Sequence, residues 1–429
     1  MVETIRTPGD TDWFVRDRFG LFIHWGLYAL PARHEWVKCH EAMTDQQYEK
    51  YLRHFDPDLY DPAQWAAAAS GAGMKYFVVT TKHHEGFCLW DSKLTDYKAT
   101  NTPAGRDLLR PMVDAFRAAG LRVGFYHSLL DWHHPQYTID PYVHPQRNHP
   151  DRQKLNASRD QAAYSRYLHG QVRELLTEFG RVDILWADFS FTNKGPEGKG
   201  RDDWQSEELY RITRELQPQI ILNDRLDLES GWDVKTPEQY QPREWLRVGG
   251  KPVVWEACQT FSGSWGYHRD ETSWKSVEQL VQMLIDTVSK GGNLLLNVGP
   301  TGRGEFDRRA LDRLAGMGEW MRLHGRSIYG CTQAPAEFAT PQDCRLTWNA
   351  EKRRLYVHVF AWPTGLLHMD GLAGKVEYAQ LLNDASEVKF GLSREATIQN
   401  VDMGRDTLTL QLPVRKPDVT VPVIELFVK

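Results

Sequence analysis

The chain has little cysteine: five in 429 residues, at Cys39, Cys88, Cys258, Cys331 and Cys344. The set is odd in number and widely spaced, with no Cys-x-x-Cys. That excludes a disulfide framework and a zinc knuckle and reads as scattered reduced thiols. No charge of one sign dominates. Fifty-two Lys and Arg against 57 Asp and Glu leave a net charge of −5, with a pI near 6.4. Such a balance gives no electrostatic footprint for nucleic acid or an anionic membrane. No apolar run is long enough to span a bilayer. The opening Met1-Val2-Glu3-Thr4-Ile5-Arg6 lacks the basic and apolar regions of a signal peptide, so a cytoplasmic protein is expected. There is no internal repeat and no low-complexity tract. There is also no His-Glu-x-x-His, and no His-x-His at the end of the first apolar strand.

What is present is length enough for a large catalytic domain plus a small second one. Aromatic residues are abundant, with 16 Trp and 17 Tyr. Their faces stack on the C–H faces of sugar rings, while indole N–H and phenol O–H bond hydroxyls; large cores also use Trp, so composition alone decides nothing.

Up to about residue 330, short apolar runs alternate with helical patterns. Strands are expected at 19–26, 76–82, 122–128, 182–188, 220–225, 253–259 and 293–298. Continuous runs such as Phe77-Val78-Val79 and Leu294-Leu295-Leu296 suit strands buried on both faces of a parallel sheet. Helical stripes are expected at 108–119, 164–179, 204–216, 277–288 and 306–323. The repeated unit predicts an α/β fold over residues 1–330, a TIM-type (β/α)8-like barrel. Seven strands are evident; either an eighth lies in an irregular stretch, or the barrel is distorted. From 331 to 429 the pattern turns to short alternating runs, at 355–359, 376–382, 388–392, 407–412 and 423–428. These predict a C-terminal antiparallel β-sandwich, joined through a linker near 330–336 and structural in role, with Trp348 and Trp362 as core aromatics.

In such barrels, chemistry sits at the C-terminal ends of the strands. The runs here end in His24-Trp25-Gly26, then His34-Glu35-Trp36; Lys82-His83-His84-Glu85; Tyr126-His127-Ser128, then Asp131-Trp132-His133-His134; Trp186-Ala187-Asp188; Asn223-Asp224-Arg225; and Trp255-Glu256. So many costly polar groups on one rim point to a site. Metal-assisted hydrolysis could draw on His24, His83, His84, His133 and His134, but neighbours such as His83 and His84 point to different sides of a strand. Glycoside hydrolysis needs two carboxylates, about 5–5.5 Å apart in a retaining enzyme. Asp188, closing a buried strand, suits a nucleophile; an Asp there also suits a helix cap, and spacing alone leaves both open.

Taken in order, these segments resemble a known family. They are residues 19–26 (Phe-Gly-Leu-Phe-Ile-His-Trp-Gly), Glu35-Trp36, 81–87 with Leu89-Trp90, Tyr126-His127-Ser128 with Asp131-Trp132, 185–188, Asn223-Asp224-Arg225, 235–238, Trp255-Glu256, Ser264-Trp265-Gly266-Tyr267 and 291–300. Each is weak alone; their shared order is similar to the α-L-fucosidases of glycoside hydrolase family 29. The resemblance implies a barrel followed by a β-sandwich and a retaining exo-α-L-fucosidase acting on fucosylated oligosaccharides or glycoconjugates. It implies no cofactor, no metal, no nucleic-acid or membrane partner, and it admits a homo-oligomer. It places the nucleophile on Asp188 and fucose-binding groups on His24, Glu35, His83, His84, Tyr126, Trp186 and Arg225, with Trp265 against the sugar methyl. For the acid/base, Glu238, Glu244 and Glu256 compete. Glu238 is preferred for its Thr236-Pro237-Glu238-Gln239-Tyr240 setting, although a loop carboxylate there would also be solvated. Glu256, inside an apolar run, is expected to be a buried partner of an Arg or Lys.

Overall fold

The computed structural model describes residues 4–392 and 406–429, so Met1, Val2 and Glu3 of the opening stretch lie outside the described residues. The apolar runs build one seven-stranded parallel sheet: β1 (Phe19–Ile23), β2 (Tyr76–Lys82), β3 (Arg122–Ser128), β4 (Ile184–Asp188), β5 (Ile221–Leu222), β6 (Glu256–Thr260) and β7 (Asn293–Val298). Their order is β5-β4-β3-β2-β1-β7-β6. Register is tight: Gly20 lies opposite Tyr76, Phe125 opposite Leu185, and Ser128 opposite Asp188.

The two edges, β5 and β6, do not pair directly. Isolated parallel bridges join Asn223 to Val234, Lys235 to Trp255, and Glu238 to Cys258. Residues 234–238 thus lie between the edges as an eighth, irregular member that completes the ring. This is the eighth strand the sequence did not disclose, and Pro237 explains why. A proline cannot donate to a ladder, so the pairing is broken into single bridges.

Side chains on a strand alternate sides, so β4 sends Ile184, Trp186 and Asp188 inward as one file. Phe22, Tyr76, Val78, Tyr126, Ile184, Trp186, Ile221, Val234, Cys258 and Leu295 form one buried interior cluster. Trp13 and Phe14, on the helix Asp12–Asp17, join it from below. The opposite faces pack against the surrounding helices in a second, larger core. Gly20 is required here: a Cβ would come within 2.2 Å of the Tyr76 ring.

The helices follow their caps. Gln161–Glu178 starts where Asp160 accepts from the Ala162 amide, and Val277–Ser289 where Ser276 and Gln279 form a capping box. The stripe at 204–216 is not one helix. It breaks at Gln205, held at φ +48, and resumes as Ser206–Leu216, while Trp204 is fully buried with its indole N–H on Ser190. Likewise the expected strand at 220–225 keeps only Ile221–Leu222 before a 3-10 turn, Asp224–Leu226, and that at 253–259 begins only at Glu256. No helix among the described residues is long and apolar enough to cross a membrane.

Among the described residues the C-terminal part is two antiparallel sheets. One has five strands: Thr332–Gln333, Cys344–Asn349, Arg354–Val359, Val423–Val428 and Val376–Leu381. The other has Leu366–Asp370, Thr407–Gln411 and Lys389–Leu392. Their facing apolar residues share one core. Cys344–Asn349 and Leu366–Asp370 were not expected from the sequence. Contacts to the barrel run from Trp320 to the Val421 carbonyl at 2.9 Å and from Arg345 to Asp286 at 2.7 Å. Trp362 sends its indole N–H to the Pro413 carbonyl, and Trp348 packs edge-on to Phe338. All five cysteines are buried and free.

Candidate active site

At the C-terminal ends of the strands lies a cavity lined by Phe22, His24, Trp36, His83, His84, Tyr126, Trp186, Asp188, Phe189, Glu238, Cys258 and Trp265. Of the residues singled out from the sequence, His24, His83, His84, Tyr126, Trp186, Asp188, Glu238 and Trp265 line it. Arg225 and Glu35 stand just behind the wall. His133 and His134 are turned elsewhere, onto Tyr97 and Tyr167 at ring distances of 3.8 and 4.2 Å.

Asp188 is buried at the top of the β4 file. Its Oδ2 accepts from the Tyr126 hydroxyl and its Oδ1 from the Arg225 guanidinium, each at 2.7 Å. Tyr126 also stacks on Trp186, with ring centroids 5.8 Å apart and planes 22° apart. Arg225 is itself fixed by the Thr236 hydroxyl and carbonyl and lies 4.4 Å over Trp186. A buried charge is tolerable only with this kind of pairing.

Arg225 Nη1 also lies 2.7 Å from Glu238 Oε2. Two oxygens that share one nitrogen in this way can be no farther apart than twice that distance, about 5.4 Å. This bound is short of the roughly 6.5–9.5 Å that an inverting pair needs for its water, as a retaining pair requires. The Glu238 side chain is 41% exposed, which sets it at the mouth. Burial and the Asp188 charge push its carboxyl up, against the pull of Arg225. The arrangement therefore offers a carboxylate paired with Arg225 inside and a carboxyl able to hold a proton at the entrance.

His24 and His84 are neutral acceptors. Asn297 donates its amide to the Trp265 carbonyl, so its oxygen faces His24 Nδ1 at 2.6 Å. His24 then donates from Nδ1 and carries a bare Nε2. Burial and the nearby His83 hold its pKa well below the ordinary value. Ser128 gives its hydroxyl proton to the Leu130 carbonyl and accepts from His84 Nδ1 at 2.6 Å. His84 Nε2, 3.9 Å from Asp188, is thus also bare, and burial keeps this ring uncharged as well. His83 Nδ1 and Glu35 Oε1 are buried and have no hydrogen-bond partner among the described residues. Glu35 Oε2 accepts from the amides of Trp265 and Gly266 at 3.2 and 2.9 Å, holding the loop that carries Trp265. Gly299 lets that loop approach: a Cβ there would come within 2.5 Å of the Gly266 and Tyr267 backbone.

Phe22, Trp36, Phe189 and Cys258 also line the cavity and were not proposed from the sequence. Phe22 was discoverable, since it lies two residues before His24 on the same strand face. Phe189 carried no periodic signal. Glu244 is exposed and no part of the cavity.

Glu256 corrects an expectation. It is buried, but its partners are the Tyr76 hydroxyl at 2.6 Å and the Trp186 indole N–H at 3.3 Å, with no Arg or Lys. The barrel interior beneath the site is aromatic, and Arg225 and Arg122 stop on the rings of Trp186 and Trp13, so among the described residues no cation bonds Glu256. Burial pushes this carboxyl up to about 7. A folded pKa above the unfolded one, about 4.3, means the folded chain holds the proton more tightly. That stability is complete below pH about 4 and is lost as pH rises to about 7. Glu256→Gln is therefore expected to gain on the wild type by about 2 to 3 kcal/mol between pH 5 and pH 8, as read by urea unfolding at the two pH values. A difference between the two proteins that is independent of pH would contradict this assignment.

The family model described as Alpha-L-fucosidase matches residues 3–326. Human plasma alpha-L-fucosidase is 30% identical over 85% of this chain and 80% of its own. Alpha-L-fucosidase isoenzyme 1 from Paenibacillus thiaminolyticus superposes with a TM-score of 0.91 at 45% identity, covering 98% of both chains. An alpha-L-fucosidase GH29 from Bacteroides thetaiotaomicron, solved as a trapped covalent intermediate in complex with 2-fluoro-fucosyl fluoride, matches at 27% identity with a TM-score of 0.84, covering 99% of this chain and 98% of the other. The chain belongs to the α-L-fucosidase family, GH29, and is an exo-acting glycoside hydrolase that works with retention of configuration.

Proposed function

We propose that Asp188 is the nucleophile and Glu238 the acid/base of this reaction, acting on fucosylated oligosaccharides or glycoconjugates. One observation carries the reading: the two carboxylates share a single Arg225 nitrogen at 2.7 Å each, one inside the cavity and one at its mouth. Asp188 attacks the anomeric carbon as the bond to the leaving oxygen breaks, and that oxygen takes the Glu238 proton. Glu238 then removes a proton from water, the water oxygen bonds the anomeric carbon, and Asp188 departs. Two inversions keep the configuration. Tyr126 and Arg225 hold Asp188 in place. The bare nitrogens of His24 and His84 accept hydroxyl protons of the sugar, and His83 and Glu35 add further polar atoms. Phe22, Trp186 and Trp265 form the apolar corner that a 6-deoxy sugar requires for its methyl group; Phe22 lies 5.3 Å from Trp186 and 5.8 Å from Trp265.

The test is covalent trapping. A 2-fluoro-fucosyl fluoride donor is expected to add one fluorofucosyl group per chain, and peptide mapping to find it on Asp188. A label on any other carboxylate overturns the assignment.

A further inference from the structure

Three histidines line the cavity, and the Nδ1 of each meets a different kind of atom behind the wall. His24 Nδ1 meets the Asn297 amide oxygen and His84 Nδ1 the Ser128 hydroxyl, both at 2.6 Å. His83 Nδ1 meets Glu85 Oε2 at 3.6 Å. Both of those atoms are buried, and neither has a hydrogen-bond partner among the described residues. Glu85 does not itself line the cavity.

The turn that follows β2 builds this pair. The Gly86 amide donates to the His83 carbonyl at 3.0 Å, with Gly86 at φ +88, so the chain doubles back and sets Glu85 against the ring two residues before it. Gly26 gives the carboxylate its room: a Cβ there would come within 2.9 Å of Glu85 Oε1. The phenols of Tyr28, Tyr48 and Tyr97 also surround it. Burial, and then the Glu85 charge, push each of them well above the ordinary phenol pKa, so they stay protonated and supply no cation. Among the described residues the one ion-pair contact of Glu85 is with His83. A buried carboxylate so sparsely paired is costly, and an apolar side chain would fill the same space at lower cost.

What the packing leaves open is which edge of the His83 ring faces the sugar. The ring stacks on Tyr126, with centroids 5.6 Å apart and planes 13° apart, and Tyr28 packs edge-on to it at 5.3 Å. His84 lies 4.0 Å away. These contacts fix the plane of the imidazole, but they do not depend on which nitrogen carries a proton. That choice is set by the polar partner of the ring. A carboxylate only accepts, so the nitrogen that faces it must carry a proton. Nε2, on the opposite edge, then turns to the cavity, as it does in His24 and His84.

We propose that Glu85 is a positioning residue for this reaction: it keeps a proton on His83 Nδ1 and so holds the Nε2 edge of the ring toward a sugar hydroxyl. This rests on the reading of His83 as a group that touches the sugar. The 3.6 Å contact tightens in the substrate complex, as contacts of catalytic groups do when a site fills.

The test is a double-mutant cycle on kcat/KM for an aryl α-L-fucoside. Glu85→Gln keeps the volume, so a role in packing alone would survive it. Its amide can turn either an oxygen or an N–H to Nδ1, however, so the choice of proton position is lost. It is expected to lower kcat/KM at least about fivefold, the size of one hydrogen bond lost from the transition state. In a His83→Ala background the same change should cost less than about twofold, because the ring it acts through is gone. A loss of equal size in both backgrounds, or none in the wild-type background, overturns the proposal. The wild type gives a second reading that does not depend on how any variant folds. Neutron diffraction from a deuterated crystal is expected to show a deuteron on His83 Nδ1, and a bare Nδ1 overturns the proposal. Failure of the underlying reading shows separately: His83→Ala alone would then match the wild type, and the role of Glu85 would fall with it.

Discussion

Asp188→Gly is expected to lower kcat/KM for an aryl α-L-fucoside by about 10⁴-fold or more while leaving the chain folded. The size follows from the chemistry: without the carboxylate there is no fucosyl-enzyme to form, and removal of a nucleophile has an effect of this order, above about 5 kcal/mol of transition-state stabilisation. Survival of the fold follows from the packing. Arg225 would keep Glu238 and the Thr236 hydroxyl and carbonyl as partners, so its charge is not stranded. Tyr126 would lose one acceptor while keeping its stack on Trp186. The variant should also show a stereochemical signature. Azide entering the space left by the carboxylate would displace a good leaving group once, so the product is β-L-fucosyl azide. Turnover within tenfold of the wild type, with a native unfolding midpoint, would remove Asp188 from the mechanism.

How far the site could be read beforehand depended on whether its signal was local. Asp188 was legible because it ends a continuous apolar run, and because Trp186, two residues earlier, had to face the same way. Phe22 and His24 carry the same alternation. The junction at Arg225 was not legible as geometry: residues 188, 225 and 238 meet only because β5 and the 234–238 segment lie side by side in the ring. That segment itself, Val234-Lys235-Thr236-Pro237-Glu238, has neither the apolar content nor the donors of a regular strand. It is held by single bridges and by the Thr236 hydroxyl on Asp224 at 2.8 Å. Glu256 was placed correctly as buried but given the wrong partner, since charge balance suggests an ion pair and the interior supplies a phenol and an indole. In the C-terminal part, Cys344–Asn349 escaped notice because its buried positions include Thr347, which bonds the Ser327 carbonyl at 2.7 Å and lies 3.0 Å from His358. A polar residue with tertiary partners hides a strand from any reading by hydrophobic pattern.

Glu238→Ala should separate the two halves of the reaction. With a poor leaving group the first step needs the acid, and kcat/KM is expected to fall by about 10² to 10⁴. With a fluoride or dinitrophenyl donor the first step proceeds unaided, so a burst should appear and the fucosyl-enzyme accumulate, because no base remains to activate water. Azide needs no such base. It should restore turnover and give α-L-fucosyl azide, the retained product of two displacements, opposite in configuration to the azide from Asp188→Gly. The pH profile should change in step. Glu238 works as an acid only while protonated, and burial with the Asp188 charge moves its deprotonation upward. The alkaline limb of kcat/KM in the wild type therefore lies above the ordinary carboxylate range and should vanish in Glu238→Ala. In Asp188→Gly the same carboxyl would lose its negative neighbour and keep Arg225, so its pKa must fall, which links the two carboxylates through one guanidinium. If azide rescued Glu244→Ala or Glu256→Ala instead, or if the alkaline limb outlived Glu238, the proton would have to come from elsewhere, and the shared Arg225 nitrogen would be a feature of packing alone.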